Sequence, residues 1–280
     1  MANTDTEMKL LLDAGVFINA EIGEYTTRAE TVRWGSSSQS REIPGIVRKP
    51  LAKDPSFQVE RDALFTVGRL IREGRVTAYK YTEVAAELSR ASNPVAVTAL
   101  ADCKIMHCEP AIHRSKFRQT RNFVETLNKG GKKDRNEGRM PSYFNQIPTL
   151  SWFISLTPAD VSLILQHAAE LQLSPFEIQS FRELEWFQIL CNRSGSSENY
   201  VDVFHLWTAE RNDLMLLTLD RGIKKLVSRV NSEKSPPVTM RTKVLSPNDL
   251  LVELGITERD PVPLESGKFY RLHELPSFQG

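Results

Sequence analysis

Lys9-Leu10-Leu11-Leu12-Asp13 and Leu214-Met215-Leu216-Leu217-Thr218-Leu219-Asp220 are the stretches whose reading decides the fold of this chain. Each is an apolar run that closes on an aspartate. A strand buried on both faces reads as a continuous apolar run, which marks a parallel sheet covered by helices. In an open α/β sheet the carboxyl ends of the strands form the ligand crevice. Two strand-terminal carboxylates therefore imply acids gathered at one site. Gathered carboxylates repel each other, and a hard cation such as Mg²⁺ or Mn²⁺ neutralises them most simply.

Working outward from these runs, helices alternate with apolar strands, as an α/β fold with a parallel sheet requires. Val59, Ala63, Leu64, Val67, Leu70 and Ile71 recur at helical spacing and Gly74 stops that run. Arg75–Tyr79 reads as a second strand, followed by a helix over Glu83–Ala91 that Asn93-Pro94 ends. Lys104–Cys108 reads as a third strand. Residues 151–191 look helical, with Thr157-Pro158-Ala159-Asp160 and Ser174-Pro175-Phe176-Glu177 as two helix starts. Asn199–Arg211 is a helix that leads into the Leu214 run. Val238–Leu245 reads as a last strand, and Ser246-Pro247-Asn248-Asp249 caps the helix after it. Polar clusters, Gly and Pro over residues 22–57 suggest an irregular, partly exposed insertion, and a second insertion spans about 110–150. The expected organisation is one domain over residues 8–255 and a surface tail over 256–280.

Composition narrows the function classes. The chain has 280 residues and a formal net charge of +1, so any nucleic-acid footprint must be a local one. Three cysteines cannot all pair within the chain, which points to reduced thiols and a cytoplasmic setting. No uncharged run reaches the roughly 18–20 residues of a membrane span. The spacing of Cys103, His107, Cys108 and His113 matches no common closed zinc site, so ordinary histidines and buried thiols describe them better.

Four acids carry the chemistry: Asp13, Glu87, Asp202 and Asp220. Asp13 and Asp220 end strands; Glu87 lies one turn into the helix after the second strand; Asp202 opens the helix before the Leu214 run. All four fit one end of the sheet. Glu83 lies one turn before Glu87 on the same helix face and competes with it. Bland readings stand beside each: Asp13 and Asp220 as caps of the next element, and Asp202 as a helix N-terminal acid. His205 reads as a packed or surface histidine.

The pattern resembles the PIN-domain nucleases. It is carried by Leu11-Leu12-Asp13-Ala14-Gly15-Val16-Phe17-Ile18, by Tyr81-Thr82-Glu83-Val84-Ala85-Ala86-Glu87-Leu88, by Asp202-Val203-Phe204-His205-Leu206-Trp207-Thr208-Ala209-Glu210 running on to Leu217-Thr218-Leu219-Asp220, and by Val244–Leu250 as a closing strand and helix. The resemblance implies a PIN-like (Rossmann-like) central parallel sheet flanked by helices. It implies that Asp13, Glu87, Asp202 and Asp220 hold one or two Mg²⁺ or Mn²⁺ ions that orient a water for phosphodiester hydrolysis. Thr218, Glu83 and Glu198 are candidate supporting residues. RNA is favoured over DNA by the resemblance alone, and a single strand enters a crevice above a sheet more easily than a duplex.

A basic run, with Arg114, Lys116, Arg118, Arg121, Lys132 and Lys133, offers a track for a phosphate backbone, with Phe117, Phe123 or Tyr143 for stacking. A solvated loop is the equal alternative. The rival functions are a non-catalytic PIN-like scaffold for nucleic acid or protein, and a phosphohydrolase of small substrates. Gly15 stands where a haloacid-dehalogenase start would need a second aspartate, and no Walker or dinucleotide glycine motif occurs. Monomer and homodimer both remain open, and no membrane partner is expected.

Overall fold

The computed structural model describes residues 8–35, 37–91, 97–128, 146–233 and 238–275. In chain order the elements are β1 (Met8–Leu12), α1 (Ala14–Ala20), β2 (Gly23–Trp34), β3 (Ser37–Arg48), α2 (Pro55–Arg72), β4 (Val76–Lys80), α3 (Thr82–Ala91) and β5 (Ile105–His107). The helices α4 (Arg114–Asn128), α5 (Gln146–Ser155), α6 (Pro158–Gln166), α7 (Pro175–Arg182), α8 (Leu184–Ser194) and α9 (Tyr200–Arg211) follow. Then come β6 (Met215–Leu217), α10 (Arg221–Asn231), β7 (Val244–Leu245), α11 (Pro247–Glu253) and β8 (Phe269–Arg271).

A five-stranded sheet runs in the order β5-β4-β1-β6-β7, with β1/β4 and β4/β5 paired in parallel. The fold is α/β with a central parallel sheet flanked by helices. Leu10, Leu11 and Leu12 of β1 are each fully buried, as a doubly covered strand requires.

Contact density divides the chain into two compact units. The first runs through His107, takes in Leu217–Asp220 and resumes at Leu245; the second holds Cys108–Leu216 and Arg221–Val244. The single domain expected over 8–255 is therefore two units by this measure.

In the first unit α2 is specified at both ends. Asp54 accepts from the Ser56 backbone N–H at 2.9 Å, Pro55 takes the first turn, and Gly74 follows the helix at φ +71°. Between them Ala63, Leu64, Val67, Leu70 and Ile71 bury one face. Gly68 lets that helix lie against residue 99: a Cβ there would fall 2.0 Å from the Ala99 carbonyl oxygen.

Two segments differ from the sequence-based expectation. Most of residues 22–57 are not irregular: Gly23–Trp34 and Ser37–Arg48 form a β-hairpin of two twelve-residue strands, paired without a break from Gly23–Arg48 to Trp34–Ser37, and 49–54 lack regular structure. Thr, Val, Tyr and Trp suit extended backbone, and Gly35 supplies the turn at φ +62°. Residues 256–275 are more than a surface tail, and 276–280 lie outside the described residues. Phe269–Arg271 add a third strand to the hairpin, Leu264 is fully buried, and Asp260 binds Arg69 at 2.9 Å and Thr66 Oγ1 through its N–H.

The second unit is helical around an aromatic core. Phe187 stacks on Trp207 at 4.9 Å, Phe117 meets Phe153 edge-on at 4.6 Å, and Phe204 contacts Phe117, Phe187 and Trp207. The expected starts at Thr157 and Ser174 are both capping boxes closed by Asp160 and Glu177, and Ser246 with Asp249 repeats the device before α11.

Candidate active site at the carboxyl edge of the sheet

The strand order places the sheet's reversal beside β1: β4 and β5 lie on one side of it, β6 and β7 on the other. Such a switch point is where the connections diverge and leave a crevice outside the carboxyl ends. Asp13 and Thr218 sit at the carboxyl ends of the two strands that flank it.

Asp13 directly follows β1 and occupies the N-cap of α1, yet its side chain makes no capping bond. The capping alternative therefore does not account for this aspartate. Its carboxylate instead accepts from the Thr218 hydroxyl, with Oγ1 to Oδ2 at 2.7 Å. Thr218 Oγ1 also accepts from the Asp220 N–H at 2.9 Å. A hydroxyl has one proton to donate and lone pairs to accept with, and Thr218 uses both functions. The backbone frames the relay: Asp13 N–H donates to the Leu217 carbonyl at 3.1 Å, and Thr218 N–H to the Leu245 carbonyl at 3.0 Å.

Burial grades across the site. Thr218 is buried, Asp13 half-buried and Asp220 exposed. Gly15 contributes by its size, because a Cβ there would stand 3.3 Å from Asp13 Oδ2. Reading the sequence alone did not single out this role; a small residue two positions past a strand-terminal acid is the signal for it.

The glutamates lie on α3, which starts just beyond β4 and packs on α1. Glu83 is buried and Glu87 half-buried, with Glu87 Oε1 itself sealed from solvent. Both turn inward, and Glu83 does so more completely. Asp202 belongs to the second unit, half-buried in the first turn of α9. Glu198 is exposed in a short 3-10 turn capped by Ser196. The structure thus brings Asp13, Thr218 and Asp220 together, and places Glu83 and Glu87 on the first helix after the neighbouring strand.

Among the described residues no three Asp, Glu, His or Cys side chains form a group able to hold a metal ion. Asp13 and Asp220 nonetheless offer carboxylate oxygens, and Mg²⁺ is commonly held by one or two carboxylates with waters completing its shell. The chemistry of the donors fits a hard divalent ion held in that open manner.

The basic run is partly committed. Arg114, Lys116, Arg118 and Arg121 lie on α4; Lys132, Lys133 and Tyr143 lie outside the described residues. Lys116 Nζ donates to the Leu171 carbonyl at 2.9 Å, and Arg121 pairs with Glu125 at 2.8 Å. Phe117 is buried in the aromatic core, so it is not available to stack on a base; the helix spends its apolar face on folding. Phe123 lies against His167, with ring centroids 4.9 Å apart.

Cys191 is buried, and Cys103 and Cys108 are half-buried. Cys103 Sγ donates to the Gly68 carbonyl, Cys108 is pushed up to about 12 by burial, and burial raises Cys191 as well. No helix among the described residues is long and apolar enough to cross a membrane.

No family model matches the chain. A comparison with curated proteins also finds no match.

Proposed function

We propose that the chain is a PIN-like nuclease that hydrolyses phosphodiester bonds with Mg²⁺ or Mn²⁺, acting on single-stranded RNA. The observation that carries this reading is the Thr218 hydroxyl, which ties Asp13 to Asp220 at the switch point of a parallel sheet.

In this reading Asp13 and Asp220, with Glu87 or Glu83, would hold one or two divalent ions. A bound ion lowers the pKa of a water and offsets the charge of the phosphate that an acidic edge would otherwise repel. The chain's own residues do the rest. Thr218 fixes the rotation of the Asp13 carboxylate, so that its orientation is set before substrate arrives. Gly15 keeps the approach to Asp13 Oδ2 clear. Exposed Asp220 meets solvent and accepts the proton of the attacking water. The water oxygen bonds to phosphorus as the ester P–O bond breaks, and the leaving oxygen takes a proton from solvent. The preference for RNA comes from the family resemblance, since no residue at this edge is built to read a 2′-hydroxyl.

One observation favours a second reading, a PIN-like scaffold that binds without cleaving. Among the described residues no group of three metal-holding side chains is assembled.

Labelled single-stranded RNA and DNA incubated with the protein, with Mn²⁺, Mg²⁺ or EDTA, separate the two. The nuclease reading predicts metal-dependent cleavage of RNA that is lost in an Asp13→Asn/Asp220→Asn variant. Equal inertness of wild type and variant with either metal, on strands that both still bind, would replace it with the scaffold.

A further inference from the structure

The hairpin of β2 and β3 reaches well beyond its third strand. β8 covers β3 only at Gly45, Ile46 and Val47. Farther out, Thr27, Arg28, Ala29, Thr31, Val32 and Arg33 are exposed, as is every residue from Ser37 to Glu42. A two-stranded ribbon with no buried face is marginal in water. A long edge also presents a row of backbone N–H and C=O groups ready to pair with another strand.

The two open edges of this ribbon differ. The outer edge of β3 carries Pro44, which removes a donor and blunts it. The outer edge of β2 has no proline and no break in its register from Gly23 to Trp34. It also carries two of the exposed large apolar side chains, Tyr25 at 47 % and Val32 at 40 %.

We propose that β2 pairs antiparallel with β2 of a second copy of this chain, about a two-fold axis at Ala29. A two-fold axis normal to the sheet keeps each side chain on its own face, so only residues an even number apart can meet. With the axis at Ala29, Arg28 faces Glu30 of the second copy, and Glu30 faces its Arg28. Tyr25 faces Arg33, Thr26 faces Val32, and Thr27 faces Thr31. Opposite charges directly across a strand pair favour association, and like charges oppose it.

Other registers are poorer, and an axis at Thr31 or Val32 matches no opposite charges. An axis at Arg28 or Glu30 sets that charge against itself, and an axis at Thr27 sets Glu24 against Glu30. An axis at Thr26 pairs Glu24 with Arg28, but it runs onto Glu21 and Ile22, which already bond Thr98 and Val97. The β3 edge offers no such match, because Arg41 and Glu42 are adjacent and point to opposite faces. The Ala29 register leaves the contact between Glu30 and Arg271 intact, at 2.7 Å within each chain, and adds a second cation to the same carboxylate. The result is one continuous six-stranded sheet.

This assembly does not rest on the nuclease reading. Its test is the mass in solution by size exclusion with light scattering. Wild type is expected near 64 kDa, twice the chain mass of 31.8 kDa. Arg28→Glu and Glu30→Arg, each setting like charges across the axis, are expected to fall to the monomer mass. The double variant Arg28→Glu/Glu30→Arg, which restores opposite charges, is expected to recover the dimer. Ala29→Lys changes an exposed alanine, sets two ammonium groups face to face, and is expected to be monomeric with an unchanged circular dichroism spectrum. A monomeric wild type, a dimer that survives Ala29→Lys, or a double variant that stays monomeric while folded would each overturn the proposal.

Discussion

The Thr218 hydroxyl donates to Asp13 Oδ2 at 2.7 Å, across the junction of β1 and β6 where the sheet reverses its order. Because the same oxygen accepts from the Asp220 N–H at 2.9 Å, one side chain sets the positions of both strand-terminal acids. Few other residue types do this. A serine has the hydroxyl with less packing, and a valine has the packing without the hydroxyl.

Thr218→Val therefore removes two hydrogen bonds from a buried position. A loss of about 1–3 kcal/mol in unfolding free energy is expected from the polar groups left unsatisfied. Urea titration reads it. Thr218→Ser is expected to keep most of that stability and most of any cleavage activity, whereas Thr218→Val loses both.

Glu210 is the corresponding internal anchor of the second unit. It is 6 % exposed and accepts from the N–H groups of Arg241 and Thr242 and from Arg241 Nε at 2.9 Å. Glu210→Ala leaves two backbone donors unanswered, and a cost of about 1–3 kcal/mol is expected. Arg241→Ala removes a guanidinium that is mostly in solvent, and about 1 kcal/mol or less is expected. Denaturation of the two variants side by side checks the ranking; equal costs would contradict it.

Two glycines separate steric need from backbone need. At Gly68 an added Cβ meets the Ala99 oxygen at 2.0 Å, so Gly68→Ala has to push α2 away from residue 99. Overpacking of this kind costs about 1–3 kcal/mol or more. At Gly74 the space is open but φ is +71°, and Gly74→Ala is expected to cost about 1 kcal/mol. Thermal melts should rank Gly68→Ala below Gly74→Ala.

The thiols give a pH dependence of definite sign. Burial lifts Cys108 to about 12, while in the unfolded chain it ionises near the ordinary value of 9.0. The unfolded state thus releases its proton first, and stability linked to this group is complete below pH 9.0 and declines as pH rises toward 12. The folded protein should alkylate slowly at neutral pH and quickly once urea unfolds it. Equal rates in the two states would contradict the shielding of these thiols by the fold.

The parts of this molecule that were legible in its sequence share one property: they bury something. Leu10–Leu12 and Leu214–Leu217 announce covered strands, and Ser174 with Glu177 announces a helix start, because apolar runs and caps are local signals. The β2–β3 ribbon was hidden for the opposite reason. Neither of its outer faces is buried, so Thr31, Ser38 and Ser40 show no apolar alternation and read as loop. In the C-terminal segment Leu264 and Tyr270 are the buried apolar side chains among the described residues, and a three-residue strand is too short for a period to show. At the site, the strand-terminal positions of Asp13 and Asp220 are visible in the sequence, and Thr218 reads as a supporting hydroxyl. Its bond to Asp13 depends on β1 and β6 being neighbours, which no local pattern encodes. Glu83 and Glu87 share a helix face, so only packing separates them, and packing buries Glu83 more deeply.

The most direct measurement of the central claim is calorimetric titration of Mn²⁺ into the metal-free protein and into Asp13→Asn and Asp220→Asn variants. The account predicts one or two bound ions in the wild type, with affinity reduced at least tenfold in each variant while circular dichroism is unchanged. Absence of Mn²⁺ binding to the wild type, or equal binding by all three proteins, would contradict it.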